Sequence, residues 1–415
     1  MMSDVLITNP ASVLGLLMVV LGAVFYTSTS PHPFWRRFYR YIPALLLCYF
    51  IPSLLNTFGI IDGEDKSLYY VASRFLLPTA LVLLTLNLDL KAIASLGPKA
   101  VIMFLAGTLG IVLGAPVALL LVSAMFPELL SGHGPEAVWR GMTTVAGSWI
   151  GGGANQTAMK EIYGVGDTIF SAMVAVDVLV ANAWMAVLLI LVPRANRWDS
   201  KLGADTTALE ALRRQMAAWQ EEHAKIPLLR DLMVILAVGF GATGLAHYGA
   251  DWLAPWFASH FPELEKYSLH SGFFWLMVLA TTLGVLLSLT RAHKLEAVGA
   301  SRVGSACIYV LVATIGMHMD ITALVETPVY FLLGAVWMLV HAAIMLLVAR
   351  LIRAPLFYMA VGSQANVGGA ASAPVVAAAF HPALAPVGVL LAVLGYVLGT
   401  YMAWFCGQIL QALAQ

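Results

Sequence analysis

The chain has 415 residues, of which 60% are hydrophobic and only 11% charged. A soluble domain carries about 25% charged residues, so a large soluble fold is excluded in favour of an integral membrane protein with little soluble mass. Formal net charge is zero, and no basic surface offers itself to nucleic acid.

Twelve apolar segments follow in chain order: 10–27, 41–61, 69–88, 100–126, 142–159, 169–192, 228–248, 272–290, 303–319, 329–351, 356–380 and 384–410. A helix of about 20 apolar residues spans a bilayer, and lipid excludes open strands because backbone groups must pair internally. An all-α polytopic membrane protein is expected, with the lipid bilayer as its first partner. Asp4 stands where a signal peptide would carry basic residues, so no cleavable leader is expected. Cys48, Cys307 and Cys406 fall inside apolar segments and read as small packing residues. The longest polar stretch is 194–227. Within it Thr207 and Glu210 have capping-box spacing, and Leu209, Leu212, Met216 and Trp219 share one helical face. An amphipathic linker on the cytoplasmic surface is expected there, dividing the chain into 1–193, 194–227 and 228–415.

Basic and acidic loops alternate. Arg36, Arg37 and Arg40, then Lys91 and Lys99, then Arg194, Arg197 and Lys201, then Arg291, Lys294 and Arg302, and finally Arg350 and Arg353 mark one side. Asp62, Glu64 and Asp65, Glu128 and Glu136, Asp251, Glu263 and Glu265, and Asp320 and Glu326 mark the other. The positive-inside rule makes the basic set cytoplasmic. Loop 127–138 is then outside and 194–227 inside, yet two apolar segments separate them. One of the two must be broken or re-entrant. "GSWIGGGANQTAMK" (147–160) is the candidate, because each glycine lowers helix stability by about 1 kcal/mol relative to alanine.

The pattern recurs. "LTLNLDLKAI" (84–93) aligns with "IGMHMDITAL" (315–324), pairing Asp89 with Asp320. "GSWIGGGANQTA" (147–158) aligns with "GSQANVGGAASA" (362–373). The charge map puts Asp89 inside and Asp320 outside, so the two halves are expected to be inverted repeats of five to six segments. Each carries a glycine-rich break, at Gly151, Gly152 and Gly153 and at Gly368 and Gly369. Broken helices in matching positions of inverted halves point to a secondary transporter, because they expose N–H and C=O groups near the bilayer midplane.

"GSWIGGGANQTAMKEIYGV", "AMVAVDVLVANAW" and "SQANVGGAASAPVVAAAF" followed by "PVGVLLAVLGYVLGTYMAWF" resemble the YjcL-like family of uncharacterised bacterial membrane proteins. That family is similar in fold to the bile-acid and sodium symporter-like group. The resemblance implies transport of organic anions on an inverted-repeat scaffold with broken, crossing helices.

Ionisable residues inside the membrane are functional candidates. Asp177, central in segment six, is the expected cation or proton ligand, with Asn182 on the same helix. Ser148, Asn155, Gln156 and Thr157 cluster at the first break and Ser363, Gln364, Asn366 and Ser372 at the second. Amide and hydroxyl oxygens suit a hard cation such as sodium, although Ser, Thr, Asn and Gln also join helices in membranes. His341 reads as satisfied by a neighbouring helix, His318 and Asp320 as a chance pairing, Arg74 as snorkelling to the outer surface, and Lys160 with Glu161 as a local pair. "GVGD" (164–167) matches an intramembrane aspartyl protease string, but the second Asp motif is absent and Asp167 falls where a helix cap is expected.

The expected function is sodium- or proton-coupled secondary transport of a small, anionic organic solute across a bacterial inner membrane. No enzyme activity and no cofactor or metal beyond a sodium site are expected, and a homodimer is compatible. The alternative is an intramembrane enzyme or regulatory component with no transport activity. A passive channel would show a continuous polar stripe, which is absent.

Overall fold

The structure is a computed structural model that describes residues 5–42, 44–62, 67–86, 88, 93, 96–130, 132, 134–204, 228–267, 269–317, 328–381 and 384–414. Asp89, Asp320, His318 and the linker residues 205–227 lie outside them. The described residues are helical, apart from one isolated bridge between Ile7 and Ile61. All twelve apolar segments form helices. These are α1 (Pro10–Ser28), α2 (Pro33–Tyr41), α3 (Ala44–Thr57), α4 (Ser67–Thr85), α5 (Pro98–Ser123), α6 (Val138–Ile162), α7 (Asp167–Leu191) and α8 (Ala195–Leu202) in the first half. The second half has α9 (Leu229–His260), α10 (Gly272–Ser288), α11 (Ala300–Gly316), α12 (Pro328–Leu351), α13 (Leu356–Val367), α14 (Gly369–Phe380) and α15 (Ala385–Ala414).

Among the described residues, seven helical spans are long and apolar enough to cross a membrane: Pro10–Ser28, Ser67–Thr85, Pro98–Ser123, Asp167–Leu202, Leu229–His260, Pro328–Leu351 and Ala385–Ala414. Gly272–Ser288, followed after a 94° bend by Arg291–Val298, makes an eighth. The protein is therefore a multi-pass membrane protein. Its lipid-facing helices carry exposed Leu, Val and Phe side chains, such as Leu105, Leu109, Leu113 and Leu120 along α5. That pattern suits a hydrocarbon solvent and is absent from ordinary soluble surfaces.

The helices sort into two bundles. α4 packs on α9, α10 and α11, with α1 and α3 joining through α11. α5 packs on α12, α13 and α15, while α6 packs on α7 and most extensively on α15. The first bundle thus takes the early helices of both halves and the second takes the late ones. Several pairings survive exchange of the halves: α4 with α11, α5 with α12, α3 with α11 beside α4 with α10, and α5 with α15 beside α7 with α12. Glycines let the backbones approach. A Cβ on Gly316 would strike the Tyr49 backbone, and one on Gly304 would meet the Ala80 carbonyl oxygen at 3.3 Å.

Candidate functional site

A straight helix of the 25 residues in α6 would run about 37 Å at roughly 1.5 Å per residue. Its two ends nevertheless meet. The Gly166 N–H donates to the Pro135 carbonyl at 2.8 Å, the Ile169 N–H donates to Glu136 Oε2 at 2.7 Å, and the Arg140 guanidinium donates to the Tyr163 carbonyl. The rings of Trp139 and Tyr163 lie 5.8 Å apart. The helix doubles back at Gly152, whose φ of 75° and ψ of −174° are open to glycine and strained for other residues. A Cβ on Gly147 would come within 2.5 Å of the Asn155 carbonyl oxygen, so the two arms pack backbone to backbone. α6 is a re-entrant hairpin.

α13 and α14 form a second hairpin. They are separated by Gly368, and Gly369 takes φ +56°. Phe357 at its start and Phe380 at its end stack edge to face at 5.4 Å. Gln364 Nε2 on the first arm donates to Ser372 Oγ on the second at 2.6 Å.

A buried polar centre holds each hairpin. At the first, Asp177 Oδ1 accepts from Trp149 Nε1 at 2.7 Å, and Oδ2 accepts from Ser148 Oγ at 2.7 Å and from Gln156 Nε2 at 3.0 Å. Ser148 and Trp149 lie before Gly152 and Gln156 after it, so one carboxyl ties both arms to α7. Tyr49 donates to Gln156 Oε1 at 3.4 Å, linking the first bundle to the hairpin. At the second, Trp184 Nε1 donates to Ser363 Oγ at 2.8 Å, and Ser363 bonds His341 Nε2 at 2.8 Å. His341 Nδ1 lies 3.1 Å from the Gly107 carbonyl. That carbonyl can only accept, so Nδ1 carries the ring hydrogen, and Nε2 of a neutral ring accepts from Ser363.

The other candidates divide. Asn155 Oδ1 accepts from Thr400 at 2.7 Å and its Nδ2 donates to the Gly151 carbonyl at 2.9 Å, fixing the first hairpin to α15. Asn366 Oδ1 accepts from Thr108 at 2.8 Å and its Nδ2 donates to the Phe104 carbonyl at 2.9 Å, fixing the second to α5. Thr157 and Asn182 bond back to carbonyls of their own helices, those of Gly153 and Val178. Neither is drawn into the polar centres. Gln364 is 1% exposed, and its Oε1 is a buried acceptor with no donor. It is the open oxygen of the ensemble. Among the described residues no three of His, Cys, Asp and Glu converge on one point.

Both tips reach α15. A Cβ on Gly152 would touch the Tyr396 ring at 3.4 Å, and a Cβ on Gly151 would lie 2.8 Å from the Gly395 carbonyl oxygen. Tyr396 and, from the second tip, Ala370 line one cavity. This cavity, of about 610 Å³, opens between α1 and α11 of the first bundle and α15 and Ala370 of the second. Sequence reasoning missed Tyr396 and the α11 lining, because only the packing of the bundles brings them together.

Three expectations are corrected. Lys160 pairs with Asp167 at 2.7 Å, not with Glu161. Glu161 pairs with Arg74 at 2.8 Å and accepts from Tyr69, so Arg74 is not snorkelling free. Asp167 opens the first turn of α7 after Gly166 at the cap. Adjacent residues on a helix point about 100° apart, so Lys160 and Glu161 reach different partners. Arg74 sits in a π-helical turn, Ala72–Leu76, and its guanidinium lies 4.3 Å from the Phe273 ring centroid. His341 is satisfied by its neighbours, as expected.

A family described as a protein of unknown function, DUF819, matches residues 15–413, a stretch that takes in both hairpins and the cavity. The chain belongs to the DUF819 family. It is 24% identical over 367 residues to the uncharacterized membrane protein YjcL of Bacillus subtilis strain 168, a match covering 84% of this chain and 85% of that protein. DUF819 membership and the membrane relative agree with the helical, multi-pass architecture.

Proposed function

We propose that this DUF819 protein is a secondary transporter of the bacterial inner membrane, moving a small organic anion coupled to sodium or protons. One observation carries the reading. Two re-entrant hairpins, one from each half of the chain, come together about Tyr396, the first by close approach and the second across the cavity that Ala370 and Tyr396 both line. Non-helical backbone at membrane depth is costly unless it lines a cavity or is buried in protein, and discontinuous helices in matching positions are how transporters hold solutes and ions. The helix pairings that survive exchange of the halves support an inverted repeat.

The charge map supports a sided arrangement. The ends of the first hairpin lie outside and those of the second lie inside. The cavity sits at the cytoplasmic ends of α1 and α11. Across the molecule, Arg74, Tyr69, Glu161, Lys160 and Asp167 knit α4 to the outer end of the first hairpin. This is an inward-facing state with its outer side latched. Switching access then requires that latch to part as one bundle moves against the other.

The coupling ion has two candidate ligands. Asp177 already accepts three donors and would bind a cation only by releasing some of them. Gln364 Oε1 accepts none and needs no release. Thermal unfolding of detergent-purified protein in sodium against potassium and choline, at fixed ionic strength, separates them. A bound ion stabilises by about 2.7 kcal/mol at a hundred times its dissociation constant. Sodium-specific stabilisation lost in Gln364→Leu but kept in Asp177→Asn assigns the ion to the second hairpin, and the reverse assigns it to Asp177. No ion-specific shift, across pH as well as across cations, would remove ion coupling.

A further inference from the structure

We infer that the cavity between the bundles is a binding site for an organic monoanion with an apolar body, its acid group held by Arg302, Ser305 and Tyr309. The inference rests on the transporter reading for its biological role but not for the binding itself. Residues 302, 305 and 309 follow an i, i+3, i+7 spacing, so the three side chains form one stripe on α11. All three line the cavity. Arg302 is its single charged lining residue, and no carboxylate lines it. Among the described residues, no hydrogen bond or ion pair engages the Arg302 guanidinium, the Ser305 hydroxyl or the Tyr309 hydroxyl. The nearby carboxylate, Glu296, attracts Arg302 only through space, without an ion pair, because its oxygens are taken by Ser301: Oε2 accepts from the Ser301 N–H at 3.0 Å and Oε1 from the Ser301 hydroxyl at 2.6 Å.

A row of unengaged donors with no acceptor opposite calls for an anion. Arginine's planar fork suits a carboxylate or sulfonate in particular. The opposite walls are Leu21 and Phe25 of α1 and Val389 and Val393 of α15, all apolar. Tyr396 adds a hydroxyl on the α15 side, but no second cation lines the cavity to pair with a second acid group. The ligand class is therefore an acid with one ionised head and a hydrocarbon or aromatic body, and not a dicarboxylate, a sugar or a cation. The volume of about 610 Å³ lies within the range of small-molecule sites. Tyr396, and Ala370 at the second hairpin tip, also line the cavity. A ligand seated there touches the hairpin and both bundles at once.

The same chemistry describes a free organic acid and the head and chain of an anionic lipid. The test is binding to the full chain in nanodiscs of phosphatidylcholine alone, by titration calorimetry, with cyclohexylacetate, cyclohexylethylamine and succinate as probes. Cyclohexylacetate should bind, with the amine and the dicarboxylate at least tenfold weaker. Arg302→Gln should weaken it at least tenfold and Arg302→Lys less. Arg302 is exposed at the cavity mouth, so neither variant disturbs the packed interior. Homologues with one more methylene should bind about fourfold tighter until the cavity is full. Loss of cyclohexylacetate binding in discs containing phosphatidylglycerol supports the site and makes lipid its resident. Equal binding of acid and amine, or of wild type and Arg302→Gln, overturns the inference. Selective binding without gradient-driven uptake into proteoliposomes leaves the site standing and overturns the transporter reading alone.

Discussion

The two hairpins solve one problem in different ways. The first folds a single helix at Gly152 and locks both arms to α7 with an aspartate that accepts three donors. The second breaks fully into two helices at Gly368. It is held by the neutral Trp184–Ser363–His341 chain and leaves Gln364 Oε1 buried without a donor. Charge-assisted hydrogen bonds are roughly twice as strong as neutral ones, so the first hairpin is the rigid member and the second the adjustable one. The cavity borders the second, through Ala370.

Asp177 should give the largest effect. Asp177→Ala leaves three buried donors without an acceptor, and at about 1–3 kcal/mol for each unsatisfied group the loss should reach about 4 kcal/mol. Chemical unfolding in detergent measures it, and the matching change at the second hairpin, His341→Leu, should cost less than half as much. If the two variants lose the same stability, the hairpins are not a rigid and an adjustable pair.

Gly152→Ala should come next, at about 2 kcal/mol, because alanine resists a positive φ. Its neighbour is the control. Gly153 has helical geometry, and the nearest atom to an added Cβ is 3.8 Å away, so Gly153→Ala should cost nothing and stabilise by up to about 1 kcal/mol. An equal cost at both positions would mean that the turn is elsewhere.

Arg74→Gln should cost only about 1 kcal/mol, since its ion pair with Glu161 is partly exposed. Its larger consequence should be conformational: a cysteine in place of Val71 should react faster with an external reagent once the latch is weakened. An unchanged rate would separate that ion pair from gating. In the absence of ion Gln364→Leu should also cost only about 1 kcal/mol, because it gives up a single neutral hydrogen bond, from Nε2 to Ser372, and none at Oε1. Loss of sodium stabilisation in the same variant would place the ion at the second hairpin rather than at Asp177.

Much of this fold was legible in the sequence because lipid imposes strict rules. Helix length and hydropathy set the twelve segments. The alternation of Arg and Lys loops with Asp and Glu loops required a segment that does not cross, and the glycine triplet named it. What the sequence hid depends on tertiary approach. Trp149 and Trp184 look like core aromatics until their N–H groups meet Asp177 and Ser363. Arg302 looks like a loop cation until α1 and α15 close a cavity around it. The pairing of Lys160 with Asp167, and of Glu161 with Arg74, was open to helix geometry alone, since neighbours in sequence do not face each other.

The central claim is that both glycine-broken segments double back. Single cysteines placed at Pro135, Thr168, Arg353 and Ala379, in a chain whose Cys48, Cys307 and Cys406 are replaced by alanine, test it in intact cells with a membrane-impermeant maleimide. The account predicts that Pro135 and Thr168 both label from outside, and that Arg353 and Ala379 are both protected until the membrane is opened. Labelling of only one member of either pair would make that segment a crossing helix and contradict the account.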